Sequence, residues 1–135
     1  MNDSAFVERA VSLLEARGIE TWVFGGWAEE LRGLIRPRPH ADLDLLYPAE
    51  SWDEVDAQHL DWLAAKRYPW KRAFVLEGTT VELFLVQRDE HGWYTALRSR
   101  VHRWPHNVVA SSGPLRVAST AALASYRHSY RVDAA

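Results

Sequence analysis

The stretch Asp42-Leu43-Asp44-Leu45-Leu46-Tyr47 alternates acid with apolar residue and runs into Pro48. An extended strand turns alternate side chains to opposite faces. Leu43 and Leu45 are therefore expected in a core, with Asp42 and Asp44 together on the other face, about 7 Å apart at their Cα atoms. A chain with such a strand in its first third must build a sheet around it, and the flanking patterns say which kind. Phe6, Val7, Ala10, Val11, Leu13 and Leu14 recur at helical spacing behind Asp3 or Ser4, and Gly18 follows as a stop, which predicts a helix over about 4–17. Thr21 to Phe24 reads as a short strand, Gly25-Gly26 punctuates it, and Trp27 to Leu34 predicts a second helix. Ser51 and Glu54 form a capping box before Trp52, Val55, Leu60, Trp62 and Leu63, which predicts a third. Ala73 to Glu77 and Thr80 to Val86 flank Gly78-Thr79 as a hairpin. Trp93 to Leu97 and Leu115 to Ala118 are expected as further strands, and Ser119 caps a last helix through about Tyr130. Residues 98–114, broken by Pro105, Asn107, Gly113 and Pro114, carry no assignment. This order implies an α/β (α+β) fold, a mixed twisted sheet flanked by helices.

At 135 residues, with no internal repeat or linker, the chain is expected to form one domain over 1–135. Hydrophobic content of 47% with 25% charged residues is globular composition, which argues against disorder. The net charge of −2 gives no reason to expect extended nucleic acid as a partner, although a local site for a nucleotide is compatible with it. Zero cysteines exclude disulfides, thiolate zinc sites and cysteine nucleophiles. The N-terminus shows no leader pattern, and no apolar run approaches the roughly 20 residues of a membrane span, so a cytoplasmic protein is expected. Seven tryptophans are many for this length, enough for a core and for a pocket that takes flat ligands.

Three features carry chemistry. The first is Asp42-x-Asp44: two like charges on one strand face repel unless a cation joins them, and Mg²⁺ is held by one or two carboxylates plus substrate phosphates. A lone pair of this kind also reads as a polar strand end with two solvated acids. The second is Gly25-Gly26 between strand and helix, where the backbone can approach an anion closely; alone it is an ordinary tight turn. The third is Glu82 inside the apolar run Thr79-Thr80-Val81-Glu82-Leu83-Phe84-Leu85-Val86. An ionised acid there needs a partner: solvent at an edge, one of the fourteen arginines, or a role as third metal carboxylate or as base for an attacking hydroxyl.

The order of the three is more specific than any of them. A glycine pair, a D-x-D strand sixteen residues later and an acid in a later apolar strand resemble the nucleotidyltransferase superfamily with its polymerase-β-like palm. The run G-G-W-A-E-E-L-R-G through R-P-H-A-D-L-D-L resembles its aminoglycoside and lincosamide nucleotidyltransferase branch. That resemblance implies a minimal nucleotidyltransferase fold and an enzyme that moves a nucleoside monophosphate from an NTP to a hydroxyl of a small molecule. By the same resemblance Asp42, Asp44 and Glu82 are the catalytic and Mg²⁺-binding acids of a two-metal site, and Gly25, Gly26, Arg38 and His40 bind the nucleotide. Glu82 stands where this branch usually has Asp, one methylene shorter. His40 either contacts phosphate or orders Asp42. Trp27 is expected in packing, and Glu30 as a solvated helix acid. The acceptor pocket is expected from residues after about 86, with Trp93, Tyr94, Trp104 and the His102/His106 pair as lining, or from a second subunit of a homodimer. The alternatives are a non-catalytic nucleotide- or protein-binding module, or a toxin–antitoxin-type enzyme that modifies a protein or a tRNA.

Overall fold

The computed structural model describes residues 2–134, with side chains through Arg127. Helix α1 spans Ser4–Ala16, and Asp3 caps it by accepting the Phe6 N–H at 2.9 Å. Strand β1 (Trp22–Phe24) leads directly into α2 (Gly25–Leu31). β2 (Asp42–Pro48), the single-turn α3 (Asp53–Asp56) and β3 (Asp61–Trp62) follow. β4 (Lys71–Leu76), β5 (Thr79–Asp89), β6 (Gly92–Ala96) and β7 (Val101–Arg103) complete the strands, and α4 (Thr120–Ala134) closes the chain. The sheet runs β1-β2-β5-β4-β3, with β6 and β7 continuing from the far end of β5. β2 and β5 are parallel and the other strand pairs are antiparallel, so the sheet is mixed as expected. Among the described residues, no helix is long and apolar enough to cross a membrane.

Alternation in β2 places its residues as the pattern requires. Leu43 and Leu45 are fully buried with Val81, Leu83 and Phe74, in one core with Phe6, Val7, Ala10, Val11 and Leu14 of α1. Each of these side chains larger than alanine contributes about 1.5–3 kcal/mol by leaving water. Asp42 stays exposed and Asp44 half-buried on the opposite face.

Several elements differ from the sequence pattern. The second helix begins at Gly25, not Trp27, and ends at Leu31; Gly33 at φ +72° turns the chain away and leaves Leu34 exposed. The third helix is one turn long, because Asp61 and Trp62 pair with Val75 and Phe74 at the sheet edge instead of extending it. The hairpin turn is Glu77-Gly78, both at positive φ, which suits the twist of a two-residue connection. Leu115 to Ala118 forms only an isolated bridge, Val23 to Val117, with Val23 N–H donating to the Arg116 carbonyl at 2.8 Å. The unassigned stretch supplies β7 and a turn-rich passage to α4, whose start Ser119 caps through the Ala122 N–H.

Candidate active site

Two adjacent parallel strands bring the acids together. Asp44 on β2 lies directly opposite Glu82 on β5, and Asp42 opposite Thr80. Asp42, Asp44 and Glu82 therefore share one sheet face, as the spacing of the motifs predicts. Asp44 and Glu82 are hydrogen-bonded to each other. Burial first, and then the Glu82 charge, push the Asp44 carboxyl up to about 7. Burial pushes Glu82 the same way, but hydrogen bonds from Lys66 and Lys71 outweigh it and hold Glu82 below the usual carboxylate range. Both ammonium groups lie 2.9 Å from Glu82 Oε1. Lys66 arrives from the short 3₁₀ turn Ala64–Lys66, shortly before β4, and Lys71 from the start of β4. Glu82 is thus neither an edge acid nor an arginine partner.

The glycine turn closes on these acids. Gly25 sits at φ +64°, and a Cβ there would lie 2.5 Å from Asp44 Oδ2. A Cβ on Gly26 would lie 2.9 Å from both Arg38 Nη2 and His40 Nδ1. Neither position accepts a side chain without moving a site residue. Gly25→Ala should cost more than about 1 kcal/mol from the left-handed backbone alone, and displace Asp44 as well. Gly78→Ala is the control: φ is +80° but nothing lies within 4 Å, so it should lose stability and keep the site. Comparing denaturant midpoints with Mg²⁺-dependent nucleotide binding separates the two effects.

The segment between α2 and β2 is tied down. His40 Nε2 lies 3.0 Å from Glu30 Oε1, which also accepts the Arg38 N–H at 2.9 Å, and the ring packs on Trp27 at 4.3 Å. The Trp27 indole donates to Asn2 Oδ1, and Asn2 Nδ2 donates to the carbonyls of His40 and Asp42. Glu30 is therefore not the solvated acid its helix position suggested. The Arg38 N–H and then the His40 ring hold its carboxyl below the usual range. The His40 side chain is only 4% exposed, an arrangement that orders the approach to Asp42. Arg38 itself is exposed with its guanidinium over Gly26.

A cleft of about 200 Å³ opens beside Asp44 and Gly25, walled by Phe24, Phe84, Leu123 and Tyr126. An ion pair between Glu29 and Arg127 bounds it. The aromatic residues expected to line an acceptor pocket are placed otherwise. Trp104 and His102 are buried behind the cleft, packed edge-on to one another, and both pack on Tyr126. Trp93 lies under Arg88 and Tyr94 under Arg103. His102 lies in β7, and it forms no metal-binding group with His106 among the described residues.

Among the described residues, no three acidic or imidazole groups close into a ready-made metal cage. What Asp42, Asp44 and Glu82 present is an open, oxygen-only face with more carboxylate than the two lysines neutralise. Half-sites of this type suit Mg²⁺, which takes its remaining ligands from phosphate and water. The donor chemistry fits that ion. Lys66, Lys71 and Tyr126 are the neighbours that sequence reading missed. The available signal was composition: the chain uses arginine fourteen times and lysine only at 66 and 71.

No family model matches the chain, and no curated protein matches its sequence. Solved structures do. The aminoglycoside nucleotidyltransferase ANT(2″)-Ia, crystallised with adenylyl-2″-tobramycin, superposes with a TM-score of 0.65 at 18% identity, over 97% of this chain and 76% of that one. A solution structure of the same antibiotic-resistance factor gives 0.68 at 19%, over 96% and 70%. A candidate nucleotidyltransferase from Thermotoga maritima gives 0.52 at 13%, over 97% and 89%. The chain therefore shares the fold of these nucleotidyltransferases.

Proposed function

We propose that this chain is a nucleotidyltransferase that moves a nucleoside monophosphate from an NTP to a hydroxyl of a small acceptor. The observation that carries the reading is the pairing of Asp44 with Glu82 across β2 and β5, directly against Gly25. It brings an acid distant in sequence onto the D-x-D face beside a turn that only glycine fits. Gly25 and Gly26 let the polyphosphate approach the backbone, and Arg38 over Gly26 can meet its oxygens as a guanidinium fork. Asp42 and Asp44 would hold Mg²⁺, with Glu82 beside them; when bound, the ion stabilises the attacking and leaving oxygens. His40 holds the loop in place through Glu30 and Trp27.

In the reaction, the acceptor oxygen attacks the α-phosphorus, the bond from that phosphorus to the bridging oxygen breaks, and pyrophosphate leaves. Glu82, ionised at neutral pH, accepts the hydroxyl proton. The cleft beside Asp44 is the natural place for the acceptor, and ANT(2″)-Ia with its adenylyl-tobramycin supports an aminoglycoside-like molecule there. The lysines that occupy Glu82 favour a second reading, a module that binds nucleotide without turnover. Incubation with ATP, GTP, CTP or UTP, Mg²⁺ and a panel of hydroxylated acceptors should release pyrophosphate. No release with any NTP would move the assignment to the second reading.

A further inference from the structure

Resting on that reading of the site, we infer that Lys66 and Lys71 are positioning residues that hold Glu82 by one oxygen, so that its other oxygen is presented to the Asp42/Asp44 face. Three observations carry this. Both ammonium groups converge on the same atom, Glu82 Oε1, at 2.9 Å each. Both come from the β4 side of β5, where Ala73 opposite Glu82 leaves them room, whereas Asp44 stands on the β2 side. The carboxylate is thus bracketed by cations on one flank and an aspartate on the other.

The choice of residue is the third observation. Three carboxylates elsewhere in the chain are clamped by arginine through two nitrogens. Arg9 holds both oxygens of Glu77 at 3.0 and 2.7 Å, Arg103 both of Asp89 at 2.7 Å, and Arg72 both of Asp56 at 2.8 and 3.2 Å. A guanidinium fork engages both oxygens of a carboxylate, whereas an ammonium is a point charge that needs only one oxygen. In a chain with fourteen arginines, both lysines are placed on the one carboxylate that must keep an oxygen free. The clamp also fixes a side chain that has one more rotatable bond than aspartate.

The test is charge-conserving. Lys71→Arg keeps the ion pair and lets the fork take both Glu82 oxygens. It should melt within about 2 °C of wild type, yet weaken Mn²⁺ binding in the presence of a non-hydrolysable ATP analogue about tenfold or more, read by electron paramagnetic resonance of free Mn²⁺. If the lysines only neutralise Glu82, arginine serves equally well, and unchanged Mn²⁺ affinity in Lys71→Arg overturns the inference. Should that variant lose its fold, Lys66→Arg, at the more exposed position, is read by the same criterion. Wild-type protein that binds no Mn²⁺ also overturns it. Pyrophosphate release reads the proposed function separately: Mn²⁺ bound without turnover removes that function and leaves the clamp to be decided by the affinities.

Discussion

Glu82→Gln should lower turnover by about 10²–10⁴-fold, the range a positioned acid–base group supplies, while Mg²⁺-dependent nucleotide affinity falls far less, by about tenfold. Glutamine has nearly the same shape, and β5 pairs on both sides, so the strand keeps its register. What the substitution removes is the ionised oxygen beside Asp44. Phosphate contacts come from the other flank, through Gly25, Gly26 and Arg38, and should survive. Single-turnover pyrophosphate release measured alongside binding of a non-hydrolysable NTP separates the two effects. Normal turnover in Glu82→Gln would remove this residue from the chemistry.

Asp44→Asn should do opposite things to the metal-free and the loaded protein. The native Asp44 carboxyl keeps its proton up to about 7, whereas in the unfolded chain it ionises near its ordinary value of 3.8. Between those values the native state binds more protons, so this group makes stability fall as pH rises from about 4 to 7, and stay level above. Asparagine does not ionise and removes that slope. Each tenfold change in proton affinity between the folded and unfolded chain is worth about 1.4 kcal/mol, so metal-free Asp44→Asn should be more stable than wild type by a few kcal/mol at pH 8. That is about 5 °C or more in Tm, with no gain at pH 4. The depressed carboxylates Glu30, Asp56, Glu77 and Asp89 act in both proteins and cancel in the comparison, whereas Glu82, in contact with Asp44, does not. With Mg²⁺ and nucleotide the order should reverse, because only wild type retains the full half-site. Parallel melting curves of the two metal-free proteins would count against Asp44 as the strained acid.

Local signals made part of this readable in the sequence. Helix α1 has a strong apolar period and an aspartate cap, and β2 declares itself by alternation. The acid pair was visible because strand geometry alone puts Asp42 and Asp44 on one face. Elements decided by distant partners were hidden. Asp61 and Trp62 follow a good capping box, yet edge pairing with β4 draws them out of a helix. Leu115 to Ala118 has strand composition, but only Val23 pairs with it, at one position. Glu30 sits on a helix that reads as surface, and it is enlisted by His40 and the Arg38 N–H across the following loop. The β4–β5 hairpin was legible, but its register was not: the turn falls at Glu77-Gly78, which sets Ala73 opposite Glu82 and brings Lys66 and Lys71 to that carboxylate. Trp104 and His102 went to packing because an aromatic cluster with Phe24 and Tyr126 backs the cleft.

On the proposed reading, the carboxylates gathered beside Gly25 hold cations against a polyphosphate. Thermal melting of wild type and the Asp42→Asn/Asp44→Asn double variant, each with a non-hydrolysable ATP analogue and with or without Mg²⁺, tests it most directly. Wild type should gain several degrees only when Mg²⁺ and nucleotide are present together, about 2.7 kcal/mol at a hundredfold excess over Kd, and the double variant should gain nothing. An equal Mg²⁺-dependent gain in the double variant would mean that Asp42 and Asp44 do not hold the metal.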